Sequence, residues 1–374
     1  MMLQKIVGIL GGGQLGKMML QKAADFNLVT HVLDPAADAP CRHLCHQFTQ
    51  GSFNDYDTVI EFGMVCDIIT IEIENVNVDA LYELQKRGKE VYPQPHIISM
   101  IQDKGLQKNF YNENNIPTAK YKLVNNKTEI DWPFPYIQKM RTEGYDGKGV
   151  RKIDSAEELA QYGFTTPSVV EELVNFEKEI AVIVARNVSG DIVAYPPVEM
   201  KFNHEANLLD YLFAPSRLSP SQIKEASDIA IKIISQLEMV GILAVEMFVT
   251  SDGKILVNEM APRAHNSGHQ TIEANHTSQY EQILRAIYNM PLGSTEIITS
   301  AVMFNLLGEK GFTGNAKYEG IDELLKVEGV HIHLYGKTIT KPFRKMGHVT
   351  VTHNDIDEAI SIAMQLKKEI KVKA

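Results

Sequence analysis

The chain has 374 residues, 44% of them apolar, and a formal net charge of −10; that length allows two or three packed domains and excludes a small module. No long basic run interrupts the acidic balance, which excludes nucleic acid and anionic membrane as general partners, so an anionic ligand must be met by a local cluster of Lys and Arg. Three cysteines, Cys41, Cys45 and Cys66, exclude a disulfide framework, and with no leader and no bilayer-length apolar run in view the expected compartment is the cytoplasm.

In chain order, Lys5 to Leu10 reads as a continuous apolar strand, Gln14 to Phe26 as a helix and Thr30 to Leu33 as a second strand, an alternation that predicts a parallel α/β sheet. The connecting Gly11-Gly-Gly-Gln-Leu-Gly16 fits the dinucleotide fingerprint through Gly11, Gly13 and Gly16, with Asp34 eighteen residues beyond Gly16. Taken alone it suggests NAD. Its physics is less specific, because glycines and a free helix N-terminus serve any phosphate. Cys41-Arg-His-Leu-Cys45-His46 lacks a second ligand pair at zinc spacing, so packed thiols are expected there. Asp67 to Ile73 is another strand, with Glu72-Ile-Glu74-Asn75 at the end where open α/β sheets bind ligands. A helix from Asp79 to Lys86 and a strand from Glu90 to Tyr92 lead to Pro93 and Pro95, where the first boundary falls.

From Ser99 to Asn114 the pattern is one helix, ended by Pro117. Strands at Tyr136 to Met140 and Ser168 to Glu171 then flank Gly144-Tyr-Asp-Gly-Lys-Gly149, too rich in glycine for a regular element and read as a mobile cover. Lys139 and Lys148 suit phosphate oxygens, and Glu171-Glu-Leu-Val174 reads as a linker whose backbone can meet an adenine edge. A larger sheet runs from Glu179 to about residue 262, with a helix from Ser219 to Leu237. Strands near Ala301 to Leu306, His331 to Tyr335 and His348 to Thr352 and a helix from Ile356 to Lys368 complete the chain.

The most informative segment is Ile242 to Met260, two apolar strands around Asp252-Gly253, a two-residue hairpin signal. Ser251 then faces Lys254, and continuing outward Glu246 falls opposite Glu259 on one face, with Cβ atoms about 5 Å apart. Like charges there repel, so the pairing makes most sense around a hard divalent cation, since Mg²⁺ is usually held by one or two carboxylates plus substrate phosphates. A solvated face is the alternative, against which Val245, Met247, Val257 and Met260 indicate buried strands. A bulge would shift the register. Beyond it, Arg263, His265, Asn266, Ser267 and His269 crowd together, and Lys337 with Arg344-Lys-Met-Gly-His348 forms a cationic knot fit for a phosphate monoester.

In this order the motifs Gly-Gly-Gly-Gln-Leu-Gly16, Leu33-Asp-Pro35 with Pro40-Cys-Arg42, Glu72-x-Glu-Asn75, Gly144-Tyr-Asp-Gly-Lys-Gly149, Asn258-Glu-x-Ala-Pro-Arg263, His265-Asn-Ser-Gly-His269 and Arg344-Lys-Met-Gly-His348 resemble, over nearly the whole chain, the N5-carboxyaminoimidazole ribonucleotide synthetase family of ATP-grasp ligases. The resemblance implies α/β and α+β domains: a Rossmann-like N-terminal parallel sheet, of the kind that precedes biotin carboxylase, at 1–95, an ATP-grasp domain at 96–295 (small lobe about 115–175, larger sheet about 176–295) and a small β-rich C-terminal domain at 296–374. It implies that ATP converts bicarbonate to carboxyphosphate and that the carboxyl group passes to the amine of 5-aminoimidazole ribonucleotide. Carried onto matching positions, ATP contacts fall on Lys104, Lys139, Gly144, Tyr145, Asp146, Gly147, Lys148, Gly149, Glu171, Glu172, Leu173, Val174, Glu179, Asn258 and Glu259, and Mg²⁺ on Glu246 and Glu259. The ribonucleotide falls on Gly13, Gln14, Leu15, Glu74, Asn75, Asn266, Ser267, Lys337, Arg344 and Lys345, and the catalytic roles on Tyr145, Asp146, Arg263 and His265. A homodimer and functional coupling to a carboxyaminoimidazole ribonucleotide mutase are implied as well. Glu143 stands where the family commonly has glycine, Ala264 where proline is usual and Lys104 where arginine is common; the stretch Glu199 to His204 is longer than in many relatives, so no role is carried onto His204. Two alternatives stay open at this point: a formate-dependent glycinamide ribonucleotide formyltransferase of the same superfamily, and an NAD-dependent oxidoreductase built on Gly11 to Gly16 and Asp34.

Overall fold

The computed structural model describes residues 4–142, 149–203 and 208–374. Its first unit is a five-stranded parallel sheet in the order β3-β2-β1-β4-β5, built from β1 (Val7–Leu10), α1 (Gln14–Asp25), β2 (Thr30–Asp34), β3 (Gln47–Gln50), α2 (Tyr56–Met64), β4 (Ile68–Ile71), α3 (Val78–Lys86) and β5 (Glu90–Val91). Strand runs without polar alternation are what a parallel sheet covered on both faces requires. Val7, Ile9, Val32 and Ile68 pack on the α1 side, whereas Leu10, Leu33, Ile69 and Ile71 pack with α2 and α3. Cys66 is buried over Gly8, where a Cβ would lie 2.6 Å from its sulfur.

The helix expected from Ser99 to Asn114 is two helices, α4 (Pro95–Ile101) and α5 (Lys104–Glu113). Asp103 breaks it: its carboxylate accepts from the backbone N–H groups of Gly105 and Leu106 and so caps α5. A four-stranded antiparallel sheet follows, ordered β6-β9-β7-β8, with β6 (Tyr121–Val124), β7 (Tyr136–Met140), β8 (Val150–Ile153), α6 (Ala156–Tyr162) and β9 (Ser168–Glu172). Next come β10 (Phe176–Arg186), β11 (Ile192–Ala194), β12 (Val198–Asn203), β13 (Leu208–Ala214), α7 (Pro220–Gln236), β14 (Gly241–Thr250), β15 (Ile255–Ala261), α8 (Thr271–Ala274), α9 (Gln279–Ile287) and β16 (Ser300–Leu307). The last stretch holds β17 (Gly314–Asn315), β18 (Lys317–Glu319), α10 (Ile321–Leu324), β19 (Val330–Leu334), β20 (Ile339–Thr340), β21 (Lys345–His353), α11 (Ile356–Glu369) and β22 (Lys371–Lys373).

The large sheet does not stop at the second boundary. It runs β15-β14-β10-β12-β13-β16-β21-β19, with β11 beside β10, so the C-terminal strands continue it through β13–β16 pairing. One face is covered by α7, which buries Ile229, Ile233 and Ile234 against Ile180, Val182, Val245 and Met247. Irregular steps at Phe176/Lys178, Lys201/Phe202, Glu246/Met247 and Leu306/Leu307 bend the sheet. It curls far enough that the Lys345 charge on β21 is felt by Glu246 on β14, five strands away. No helix among the described residues is long and apolar enough to cross a membrane.

Candidate active site

The β14–β15 hairpin delivers the expected carboxylate pair by a different route. Its turn is not the two-residue Asp252-Gly253 type: Thr250 donates its N–H to Lys254 O at 2.9 Å, closing a three-residue loop in which Gly253 sits at φ +82°. Pairing runs Val249↔Ile255, Phe248↔Leu256 and Met247↔Val257, then Asn258 is extruded as a bulge and Glu246 meets Glu259. Twelve residues lie between the carboxylates, 247 to 258. A two-residue turn without a bulge and a three-residue turn with one both leave whole pairs, so the two departures cancel. The burial of β15 shows the slip: Ile255, Val257 and Met260 are buried while the neighbours Asn258 and Glu259 are both only partly covered.

Glu246 and Glu259 share their face with Glu179 on β10. Burial, then Glu259 and Glu179, push the Glu246 carboxyl up to about 8, and burial with Glu259 pushes Glu179 up to about 7. Above them stands Lys139 on β7, whose ammonium is 2.9 Å from Asn258 Oδ1 and 2.9 Å from Glu171 Oε2. Glu171 also holds Lys108 of α5, at 3.0 Å. The stretch expected as a linker from Glu171 to Val174 begins at the end of β9, which holds Glu171 and Glu172; the Glu171 carboxylate is paired with two lysines and that of Glu172 accepts from the Lys120 N–H. Leu173 is exposed. Lys104 starts α5 and donates its backbone N–H to Arg141 O, while Arg141 is paired with Asp103 through Nε at 2.8 Å. Gly149 accepts from the Met140 N–H. Glu143, Gly144, Tyr145, Asp146, Gly147, Lys148 and His204 lie outside the described residues.

A second group adjoins the carboxylates. His265 Nε2 is 3.5 Å from Glu246 Oε1. Its Nδ1 is 2.8 Å from Ser267 Oγ and accepts from the Ser267 N–H at 3.3 Å, which leaves the ring proton on Nε2. Burial, with Arg263 and Lys345 nearby, lowers the His265 pKa to about 3, so the ring is neutral. Gln279 grips its backbone from both sides, Oε1 accepting the His265 N–H and Nε2 donating to His265 O. Arg263 pairs with Glu74 at 3.1 Å, and Gln102 donates to Glu74 O. Asn266 Oδ1 is buried without a hydrogen-bond partner. Asn75 is exposed.

The first glycine loop is already filled. Glu72 reaches into the N-terminus of α1, accepting from the Leu15 N–H at 3.1 Å, and a Cβ at Gly13 would lie 2.5 Å from its Oε1. Asp34 is spent on its own loop, accepting from Gly12 N–H at 2.7 Å and Ala36 N–H at 2.8 Å. The two features that suggested a dinucleotide, a vacant helix N-terminus and a free ribose acceptor, are thus both consumed. Gln14 and Leu15 lie at this helix start.

From the C-terminal strands, Lys337 donates to Lys345 O at 2.9 Å and lies over the Tyr335 ring, and Arg344 donates to Ile339 O. Lys17 of α1 donates to Leu334 O at 2.8 Å, tying the first unit to this corner. His269, His348 and His333 stack in turn, with ring centroids 4.5 and 4.4 Å apart, and Tyr280, Tyr335 and Glu273 take their ring nitrogens. Lys108, Lys17 and the reach of Glu72 were missed from the sequence; their partners lie 63, 317 and 57 residues away, and no local pattern in the sequence marks them.

Family models match residues 3–102 (ribonucleotide synthetase preATP-grasp domain), 109–280 (ATP-grasp domain) and 301–361 (phosphoribosylaminoimidazole carboxylase C-terminal domain). The chain is 39% identical to the phosphoribosylaminoimidazole carboxylase of Candida albicans, over 96% of this chain and 65% of that one, and so spans about two thirds of the length of that relative. Its structure matches the N5-carboxyaminoimidazole ribonucleotide synthetase of Thermotoga maritima with a TM-score of 0.92 and 42% identity, covering 99% of this chain and 100% of that one. It also matches the Aspergillus clavatus N5-carboxyaminoimidazole synthase in complex with ADP and 5-aminoimidazole ribonucleotide, with a TM-score of 0.90 and 31% identity, covering 98% and 99%.

Proposed function

The chain belongs to the N5-carboxyaminoimidazole ribonucleotide synthetase family of ATP-grasp ligases, and we propose that it carboxylates 5-aminoimidazole ribonucleotide with bicarbonate at the cost of ATP, a step of de novo purine synthesis. The terminal phosphoryl group passes to a bicarbonate oxygen and gives carboxyphosphate and ADP. Carboxyphosphate breaks its C–O bond to release CO₂ and phosphate, and the exocyclic amine nitrogen takes up the carbon and gives up a proton.

The observation that carries this reading is the continuity of the two halves of the site: His265 stands 3.5 Å from Glu246, the carboxylate opposed to Glu259. On one side of that contact Lys139 and Asn258 suit nucleotide phosphate. On the other, Arg263 supplies a guanidinium for bicarbonate, and neutral His265 supplies an Nε2–H for the transferred carboxyl oxygen. Asn266, with its buried unpartnered Oδ1, and Gln14 suit the ribonucleotide's polar edge, while Lys337, Arg344 and Lys345 suit its phosphate. The amine's proton is assigned to Tyr145 and Asp146 on the motif match alone.

Glu246 and Glu259 fit Mg²⁺: they form, with Asn258, an all-oxygen set, and burial together with the facing Glu259 and Glu179 raises the Glu246 pKa to about 8, a cost of charge that a divalent cation offsets. Bound Mg²⁺ supplies charge neutralisation at the transferring phosphoryl group. A homodimer, cytoplasmic residence and transfer of product to a mutase complete the proposal; the last is supported by the longer relative, whose further third leaves room for a second activity.

The test is ADP release with Mg·ATP and labelled bicarbonate, with and without 5-aminoimidazole ribonucleotide. Stimulated release with label trapped as an acid-labile carbamate is expected. Turnover only with formate and glycinamide ribonucleotide would replace this reading by the formyltransferase, and saturable nicotinamide binding would revive the oxidoreductase.

A further inference from the structure

Two lysines share one carboxylate at the base of the site. Lys108 and Lys139 approach different oxygens of Glu171, at 3.0 and 2.9 Å, and the three residues are only 3, 9 and 5% exposed. Their other hydrogen-bond partners are neutral. Lys108 donates to Thr118 Oγ1 at 2.6 Å, which donates onward to Val257 O at 2.7 Å, and Lys139 donates to Asn258 Oδ1. Two ammoniums against one carboxylate leave this buried group with one surplus positive charge. Glu246 and Glu259 lie within electrostatic reach of Lys139, and Glu172 of Lys108.

The two lysines are not equivalent. Lys139 is on the cleft side, bonded to the bulge residue next to Glu259; Lys108 is on the far side, fixed by α5 and Thr118. An anion entering the cleft meets Lys139 and draws it from Glu171. Were Lys139 the only partner, that move would strand a bare carboxylate in a dry interior, a strongly unfavourable state.

We propose that Lys108 is a positioning residue for ATP: it is the standing counter-ion of Glu171, so Lys139 can leave that carboxylate for a nucleotide phosphate and return to it after release. The inference rests on the ATP-ligase reading. No motif marks Lys108, one helical turn beyond Lys104, and it does not touch substrate; it acts through Glu171 and Lys139.

The experiment measures KM for ATP and for 5-aminoimidazole ribonucleotide in Lys108→Met, Lys108→Gln, Lys108→Arg, Glu171→Gln, Lys108→Met/Glu171→Gln and Lys139→Met, each with a melting curve. Lys108→Met should raise KM for ATP about tenfold or more, with little change for the ribonucleotide, and Lys108→Arg should stay close to the parent. The double variant, which restores the single surplus charge, should recover most of the ATP affinity. A structural lysine gives no such rescue, so a double variant as weak as the single one overturns the inference. If Lys108→Met does not fold, Lys108→Gln decides: it keeps a donor for Thr118 Oγ1 but not the charge, so KM for ATP should rise as above, and an unchanged value refutes the proposal. Lys139→Met tests the underlying reading separately, because an unchanged KM for ATP there removes Lys139 from the nucleotide site whatever Lys108 does.

Discussion

Replacing Glu259 with Gln keeps the side chain's shape and removes the charge opposed to Glu246. Its expected effects point in opposite directions: the melting temperature holds or rises, because repulsion is relieved, while ATP turnover falls by about a hundredfold or more, the several kcal/mol that a metal ion supplies. An active variant would remove the metal assignment. Glu72 makes a second residue-scale test through pH. Burial, only partly offset by Arg263 and the Leu15 N–H, raises its carboxyl from 4.5 to about 7. A folded pKa above the unfolded one means that its stabilising share is complete below about 4.5 and is lost as pH rises through about 7. Glu72→Gln keeps an acceptor for the Leu15 N–H, so its melting temperature relative to the parent should climb by a few degrees between pH 5 and pH 8; an equal difference at both pH values would contradict this origin.

At the scale of elements, Asp103 joins two tasks, capping α5 and holding Arg141 at the stem of the segment that leads into the second glycine motif. Asp103→Ala should cost about 1 kcal/mol or more in stability, the usual worth of a cap. Asp103→Asn should recover the cap while KM for ATP stays raised, because the Arg141 ion pair is gone; denaturant melts beside ATP titrations separate the two. The same residue shows where sequence stops being informative. An aspartate inside an apolar periodic stretch looks like a helix surface position until its own backbone partners are seen. By contrast β1, β4 and the β14–β15 hairpin were legible, since continuous or alternating apolar runs state which face is buried. Glu246 and Glu259 were legible for that reason, and only the turn and bulge behind their pairing were not. Lys108 and Lys17 were illegible because what gives them meaning is a carboxylate or carbonyl brought from a distant strand. Glu72 was visible as a strand-end residue, but its reach into the α1 N-terminus depends on β1 and β4 lying side by side.

For the whole molecule, the stack of His269, His348 and His333 joins the loop after β15 to the C-terminal strands. Burial holds His269 and His348 well below 6.5, so the folded state keeps them neutral while the unfolded chain protonates them. Their contribution is present above pH 6.5 and shrinks as pH falls below it, so the melting temperature should drop from pH 7 to pH 5, and less steeply in His348→Gln; parallel slopes would assign the acid loss elsewhere. The curled sheet that brings these strands together has a further consequence. β14 and β21 are five strand spacings apart, about 24 Å if the sheet were flat, yet Lys345 acts on Glu246. The molecule is built like a calliper whose jaws are the hairpin carboxylates and the Lys345 strand, and whose gap is set along the hydrogen-bonded bow between them. The irregular steps at Lys201/Phe202 and Leu306/Leu307 lie along that bow, where an extra residue on one strand adds bend and twist.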